Sequence, residues 1–344
     1  FLQQSQAFTP MGCCRPKQGW KKGEYYMEEK ENLPILSINK QYLNNTKIGR
    51  LIATKEYPDI TDKGVSMKIT ITDNIVNLVN LKTDPNITLT DPNITQFDMA
   101  VMDAVYTIIS AGVMVVTPEW ICKVLSGNMS QRATPRKINM IVKSLEKLRS
   151  THIRIDCGEK ANAKGKEKKY EKLIYQSYLL PLSSVEARLA ANGREVHAYT
   201  VLEKPALYCY AESLHQLIDV PAELMDTHAL FTDTDDAILI KRYVIKRVMQ
   251  MRNEKNRLFS NKISFYWKDK ETGEERGLFP ELGYVPDDTV NWRQKKKSIN
   301  KVVASTLDLF KEKEIISEYE IYRQGGSKNP TSPTMGYQIF FEKR

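Results

Sequence analysis

The chain has 344 residues, which is enough for two domains that each bury a core of their own. It carries 51 Lys and Arg against 42 Asp and Glu, a formal net charge of +9 at pH 7 that favours an anionic partner where the basic residues cluster. The five cysteines include no CxxC pair, which argues against a structural zinc site or a disulfide scaffold and favours a reducing cytosol.

The positive charge is clustered in two blocks. Residues 96–182 carry 14 basic and 8 acidic side chains, and residues 235–344 carry 22 and 16. The connection between them, residues 183–234, carries 3 and 8. Two basic blocks joined by an acidic connection indicate two surfaces that could each bind an anion.

The N-terminus lacks an initiating Met. Lys22-Gly23-Glu24 can be encoded by purine-rich codons that resemble a bacterial ribosome-binding site just before Met27. We therefore expect native translation to begin at Met27, and residues 1–26 to be a disordered or non-native leader.

Residues 27–95 predict an irregular N-terminal arm and a turn-rich linker. The alternation in Ser66 to Leu81 predicts a short strand. The hexapeptide TDPNIT occurs at 83–88 and again at 90–95, and its Asp-Pro and Pro-Asn pairs predict a spacer of turns.

Residues 96–222 predict a winged helix-turn-helix domain. Three helices are expected, each after a Thr N-cap, and the second and third have Pro at the first helical position. The caps are Thr95, Thr117 and Thr134. The chain's longest apolar run, Met99 to Val116, is interrupted by Asp103 and Gly112, so we interpret it as a buried helix and a short strand rather than a membrane span.

The third helix of this domain, Thr134 to Arg149, is amphipathic. Its basic and amide side chains suit hydrogen bonding to base edges in the major groove, although a merely solvated helix face would show the same pattern. The predicted contact residues are Arg136, Lys137, Asn139, Lys143 and Lys147.

A lysine-rich hairpin is predicted to follow as the wing. Its strands are "HIRID", from His152, and "LIYQSYLL", which ends at Leu180. The lysines at its tip that we expect to contact DNA are Lys164, Lys166, Lys168 and Lys169.

Residues 223–344 repeat the same order and predict a second winged domain. A basic helix from Asp236 is followed by a strand from Ile263, a short helix, a long helix from about Asp288 and a final hairpin. Trp292 could stack on a base, but a tryptophan at this place is more often part of a core. The predicted contact residues are Arg293, Gln294, Lys295, Lys296, Lys297, Lys301 and the wing-tip Lys328.

Catalysis has no candidate constellation in this sequence. The four histidines form no HxH or HExxH pair, and there is no GxxxxGK[ST] phosphate-binding loop. Asp233, Asp235 and Asp236 lack the Gly and downstream Glu of a calcium loop, so an acidic turn that caps a helix is the better interpretation. We expect no enzyme activity, metal or cofactor.

The chain resembles the plasmid replication initiator (Rep) proteins of the iteron-binding, tandem winged-helix type. The resemblance spans about Phe97 to Phe341. It rests on the doubled order of elements, on "YLLPLSSVEARLAANGREVHAYTVLEKPALYCY", and on "NWRQKKKSINKVVASTLDLFKEKEII". It implies binding to repeated origin DNA, dimerisation through the first domain and recruitment of host replication proteins.

The fold class expected is therefore α+β, with two winged helix-turn-helix domains in tandem after an irregular N-terminal extension. The function expected is sequence-specific binding to double-stranded origin DNA at direct repeats to initiate replication of a plasmid or mobile element. Two alternatives stay open from the residues: a winged-helix transcriptional regulator, and a protein-interaction module without DNA affinity.

Overall fold

The computed structural model describes residues 94–156, 174–188, 195–227, 231–253 and 290–327 without a break. Shorter described stretches are 40–46, 60–62, 65–72, 75–80, 87–89, 260–268, 275–282 and 332–342, with a few single positions between them. The described strands and helices are, in chain order, β1 Lys40–Asn44, β2 Ile60–Asp62, β3 Val65–Thr72, β4 Ile75–Asn80, β5 Ile87–Leu89, α1 Gln96–Ser110, β6 Val115–Val116, α2 Pro118–Ser126, α3 Pro135–Ser150, β7 His152–Asp156, β8 Ile174–Tyr178, β9 Leu182–Arg188, β10 Glu195–Val201, α4 Ala206–Ser213, β11 Leu217–Pro221, α5 Asp235–Arg252, β12 Lys262–Ser264, β13 Trp267–Lys268, β14 Glu275–Arg276, α6 Leu278–Glu281, α7 Val290–Glu312, β15 Glu318–Arg323 and β16 Thr334–Phe340.

The chain is a mixed α/β protein, and its first helices begin where the caps predict. Thr95 and Asp98 form a capping box, in which each side chain accepts the other residue's backbone N–H. Thr117 and Thr134 cap α2 and α3, and both are followed by Pro. Gly127, at φ +66°, ends α2 in the left-handed conformation. The predicted helix starts are confirmed.

Helices α1, α2 and α3 pack around one core. Twelve of the fifteen residues of α1 are buried, so this helix is surrounded on nearly all sides. Helix α3 contributes Ile141, Leu145 and Leu148, all fully buried, while the predicted stripe residues Ile138 and Val142 are half-buried. The apolar run is thus a buried helix followed by a strand, as expected. No helix among the described stretches is long and apolar enough to cross a bilayer.

The short strand β6 does not pair with the lysine-rich hairpin that the sequence predicts as the first wing. The predicted hairpin does form, as β7 and β8 with His152 opposite Tyr178. It belongs, however, to a six-stranded antiparallel sheet in the order β2-β3-β4-β5-β7-β8. The short strand β6 instead pairs with β10, which pairs with β9. The predicted identity of the first wing is therefore wrong: the lysine-rich hairpin is inserted between α3 and the hairpin that joins β6.

The N-terminal arm is more ordered than expected. Strands β3 and β4 confirm a strand prediction in Ser66 to Leu81, and β5 falls on the end of the first TDPNIT copy, where only turns are expected. Strand β1 pairs with β11, and its residue Leu43 is fully buried. Residues 1–26, including the expected leader, lie outside the described residues.

The C-terminal part repeats the order of helix, strand, helix, helix and hairpin. Strands β12, β16 and β15 form an antiparallel sheet in that order. A two-stranded ribbon, β13 and β14, is inserted before the short helix α6. The predicted strand from Ile263 to Trp267 is thus divided between β12 and β13. Gly277, at φ +117°, lies so close to Phe265 that a Cβ there would be 2.7 Å from the Phe265 carbonyl oxygen.

Two hydrophobic cores lie on either side of α5. Ile238 belongs to the first core, together with α1, α2 and α3. Most other buried residues of α5, such as Val244 and Val248, belong to the second core with α7 and the C-terminal sheet. Helix α5 is thereby shared between the two parts of the chain.

Candidate nucleic-acid interface

The outward face of α3 carries three exposed polar side chains. Arg136, Asn139 and Lys143 are all exposed and lie at positions i, i+3 and i+7, so they form one stripe along the helix. The stripe begins in the first turn, the end of a helix that enters a groove in helix-turn-helix proteins. An Arg, an amide and a Lys are side chains that can bond to guanine and adenine edges.

Two other predicted contact residues on α3 are engaged within the protein. The Nζ of Lys147 lies 2.7 Å from Oδ2 of Asp98, a carboxylate whose side chain is only 3% exposed. Ser144 donates to the other carboxylate oxygen at 2.6 Å. The Nζ of Lys137 lies 4.8 Å from the ring centroid of Phe231, a cation–π contact. We therefore remove Lys147 from the candidate contact residues and assign Lys137 to packing.

An acidic turn borders the same helix. A cleft of about 310 Å³ separates α3 from the start of α5, and Lys143, Asp233 and Asp235 are among the residues that line it. Asp233 is paired with Lys241 at 2.5 Å. The turn lowers the positive potential on this flank, so the exposed stripe is the part of α3 best placed for an anion.

This turn confirms the capping interpretation of the acidic cluster. Thr234 caps α5, and Asp235 and Asp236 lie in the first turn of the helix, where the macrodipole favours negative charge. Asp236 also accepts a hydrogen bond from the hydroxyl of Tyr284. Within the described ranges, no group of three His, Cys, Asp or Glu side chains could hold a metal ion.

Helix α7 presents a second exposed basic stripe. Gln294, Lys297 and Lys301 are exposed and again lie at i, i+3 and i+7. The stripe turns acidic toward the C-terminal end of the helix, at Asp308 and Glu312. A basic stripe at the N-terminal end of a 23-residue helix favours entry of that end into a groove of DNA.

The other predicted residues of α7 differ in their surroundings. The Nζ of Lys295 lies 3.5 Å from the ring centroid of Tyr284 while its side chain remains exposed, and Lys296 is half-buried. Trp292 is 7% exposed and packs edge-on against Phe279 and Tyr284, so it is a core residue and not a stacking platform. The side chain of Arg293 lies outside the described residues.

The C-terminal hairpin is closed by an arginine that the sequence reasoning missed. Nη1 of Arg323 donates to the carbonyl of Ser332 at 2.9 Å and to Oγ1 of Thr334 at 3.3 Å. The sequence signal that could have indicated it is its place two residues before Gly325 and Gly326 at the hairpin tip. Lys328, and the first hairpin's Lys164, Lys166, Lys168 and Lys169, lie outside the described residues.

The electrostatics of the C-terminal sheet follow from burial. Burial and a hydrogen bond to Asp308 raise the pKa of the Tyr319 hydroxyl well above its usual range. Burial likewise raises the pKa of Tyr322 and of Tyr337. All three hydroxyls therefore stay neutral at physiological pH, and the local charge is set by the lysines and carboxylates.

No protein-family model and no curated protein matches the sequence. Among solved structures, a crystal structure of RctB domains 2-3 aligns with 12% identity and a TM-score of 0.39, covering 86% of this chain and 96% of that chain. A crystal structure of selenomethionine derivatives of domains 2 and 3 of RctB aligns with 11% identity and a TM-score of 0.37 over the same shares. Likenesses this low carry no argument, and the interpretation depends on the geometry above.

Proposed function

We propose that the chain is a non-enzymatic, sequence-specific double-stranded DNA-binding protein built from two winged-helix units. The single observation that carries the proposal is the pair of exposed stripes on α3 and α7. Each stripe is basic and polar, and each lies on the third helix of a set ordered helix, strand, helix, helix and hairpin. We call α3 and α7 the reading helices.

In this proposal each reading helix enters a major groove with its N-terminal turns. Arg136 and Lys297 would donate to guanine, and Asn139 and Gln294 would pair with adenine. Each well-placed bidentate pair contributes about 1–3 kcal/mol of discrimination between bases. The two grooves would be successive ones on one face of the duplex, about 34–36 Å apart.

The first wing in this proposal is the hairpin of β9 and β10. Its support is that β10 of this hairpin pairs with β6, the short strand between α1 and α2. The second wing is the hairpin of β15 and β16, held closed by Arg323. The lysine-rich hairpin β7–β8 would be an additional backbone contact, because lysines act chiefly on phosphates.

The biological role proposed is initiation of plasmid or mobile-element replication in the bacterial cytoplasm. The resemblance to iteron-binding Rep proteins supports this role and implies direct repeats in the origin, a homodimer through the first unit and contact with host replication proteins. A transcriptional regulator would use the same interface. The two are separated by asking whether the gene supports replication of a plasmid that lacks its own initiator.

The direct test measures DNA affinity after removal of two exposed lysines. Duplexes are first selected by the purified wild-type protein from a random-sequence library. Lys297→Ala with Lys301→Ala should weaken binding to a selected duplex about 10- to 100-fold, because two contacts of about 1 kcal/mol or more are lost. The slope of log K against log salt should become shallower by about 0.9 for each of the two lysines that neutralises a phosphate, and therefore by no more than about 1.8.

The matched control is Lys311→Ala with Lys313→Ala. It also removes two positive charges, one in the last turn of α7 and one in the turn that follows, and Lys311 pairs with Glu318 at 2.5 Å. This variant should keep its affinity within about threefold, because only long-range, screened electrostatics change. Equal losses of DNA affinity in both variants would contradict the role of α7 as a reading helix. A wild-type protein with no salt-dependent DNA affinity would favour the protein-interaction module instead.

A further inference from the structure

The N-terminal strand β1 lies between the two cores. Leu43 packs in the second core, whereas the neighbouring Tyr42 packs against the first. Gln41 is 1% exposed, and its amide donates to the backbone carbonyl of Val124 in α2. Polar side chains buried in this way are held by specific partners, so the strand has little freedom to shift.

The hydrogen bonds of β1 to the first unit are made mainly with α1. The backbone N–H of Tyr42 donates to Oγ1 of Thr107, and the backbone N–H of Asn44 donates to Oδ1 of Asp103, both at 3.0 Å. The Asn44 side chain also reaches the carbonyl of Leu207 in α4, at 3.3 Å. The strand is therefore fixed to the first unit by backbone and side-chain bonds alike.

Helix α5 also bonds to Asp103 of α1 and to Asn44 of β1. Nη2 of Arg242 donates to the second carboxylate oxygen of Asp103, and Tyr208 donates its hydroxyl to the first. Lys246 donates its Nζ to the backbone carbonyl of Asn44 at 2.6 Å. Asp103 and Arg242 are 1% and 3% exposed, so the ion pair is buried where the two cores meet.

A buried ion pair of this kind specifies geometry more than it adds stability. Apolar side chains can repack with small losses, whereas a desolvated carboxylate that loses a donor costs several kcal/mol. Asp103 has three donors from three different elements: β1, α4 and α5. The placement of α1 against α5 in the structure satisfies all three, and a shift of either helix would break at least one.

Each reading helix is held on one of these two helices. Helix α3 packs on α1, and Asp98 of α1 bonds to Ser144 and Lys147 of α3. Helix α7 packs on α5 within the second core. The placement of α1 against α5 therefore determines the placement of α3 against α7.

We propose that the buried cluster of Asn44, Asp103 and Arg242 positions the two reading helices relative to each other and so fixes the spacing of the two DNA segments that one chain binds. The three residues are positioning residues that need not touch DNA. The consequence for DNA spacing rests on the proposed function, whereas the consequence for helix placement does not.

The placement of α3 relative to α7 is tested without DNA by electron–electron double resonance. Spin labels are attached at Ser150→Cys on α3 and Ser305→Cys on α7, two exposed positions, in a chain that carries Ser for Cys13, Cys14 and Cys157. The remaining cysteines, Cys122 and Cys209, are buried. The wild-type cluster should give one narrow distance distribution, and Asp103→Asn with Arg242→Met should broaden it at least twofold.

The double variant is designed to fold. Asn at position 103 keeps an acceptor for Tyr208 and Asn44, and removing both charges avoids a lone buried ion. Should this variant unfold, Lys246→Met serves instead, since it removes the bond to the Asn44 carbonyl and keeps both Asp103 and Arg242. An ion pair near the N-terminal end of α5, away from the buried cluster, is the control: Asp233→Asn with Lys241→Met should leave the distribution as narrow as in the wild type.

The DNA consequence is tested on a duplex selected by the wild-type protein. Inserting about 5 base pairs at its centre turns one half of the site by half a helical turn. Wild-type affinity should fall at least about tenfold, whereas Asp103→Asn with Arg242→Met should lose less than about threefold, because its helices can adjust.

The outcomes separate the two proposals. A distribution as narrow in the double variant as in the wild type overturns the positioning role, and so does an unchanged penalty for the insertion. A narrow wild-type distribution that broadens in the variant supports the positioning role even where no duplex binds the wild-type protein. The lack of DNA binding by the wild-type protein would count against the proposed function alone.

Discussion

Replacing Gly336 by Ala should destabilise the C-terminal sheet severely. Gly336 lies in the central strand β16, opposite Ser264 on one side and Tyr322 on the other. Its φ is +150°, in a region that is essentially restricted to glycine. A Cβ built on this backbone would lie 2.1 Å from the carbonyl oxygen of Ile263 and 2.8 Å from a ring carbon of Tyr322.

The magnitude follows from these distances. A carbonyl oxygen cannot approach a Cβ to 2.1 Å, so β12 would have to move by about 1 Å and weaken its bonds to β16. The forbidden backbone region costs about 1–3 kcal/mol, and each lost hydrogen bond costs about 1 kcal/mol. We expect the free energy of unfolding to fall by about 3–5 kcal/mol, a large share of the 5–15 kcal/mol typical of a domain.

Gly326→Ala is the matched control. Gly326 lies in the hairpin tip at φ +71°, and among the described residues other than its two chain neighbours no atom lies within 4 Å of its would-be Cβ. Only the left-handed backbone is penalised, at about 1–2 kcal/mol. Urea unfolding followed by tryptophan fluorescence should separate the two variants by about 2–3 kcal/mol with similar m values. A difference below 1 kcal/mol would refute the steric reasoning.

Two further predictions concern aromatic residues. Trp292→Ala should lower the free energy of unfolding by about 3–5 kcal/mol, because Trp292 is buried. Trp267 is 43% exposed, so Trp267→Ala should lower it by about 1 kcal/mol or less. Equal shifts of the thermal midpoint in the two variants would contradict this prediction. Burial raises the pKa of Tyr208, with Asp103 adding to the effect, and burial with a hydrogen bond to Glu212 raises that of Tyr106. These folded-state pKa values lie above the unfolded value of about 10. The stability that the two neutral tyrosines contribute is therefore present below pH 10 and is lost as the pH rises toward the folded-state pKa values. The free energy of unfolding falls by about 1.4 kcal/mol per pH unit for each tyrosine in this range. The urea midpoint at pH 9 and at pH 11 measures this, and a midpoint that does not change would refute it.

Helix positions were predictable because their signals are local. A Thr followed by Pro specifies a helix start within a few residues, and Thr117 and Thr134 begin α2 and α3 as predicted. The outward stripe of α3 also follows from periodicity, since Arg136, Asn139 and Lys143 are exposed. For the candidate site, the sequence could therefore predict which side chains of α3 are exposed.

Strand pairing and side-chain partners were not predictable, because both depend on residues far away in the chain. The hairpin from His152 is a correct local prediction, but its sheet is chosen by β5, whose Ile87 pairs with Ile155. Lys147 looks like a surface lysine until Asp98, 49 residues earlier, is found beside it. The burial of Asn44 has no signal in a polar segment, because its partners are contributed by α1, α4 and α5.

The pairing of β1 with β11 sets an order of events during synthesis. Lys40 and Asp219 bond across 179 residues of sequence, so the place between the two cores stays open until β11 has left the ribosome. At about 5–20 residues per second this takes roughly 10–35 s after β1 emerges. The earliest-made strand of the described chain is thus among the last to dock, and the first unit completes its boundary only after β11 has been made.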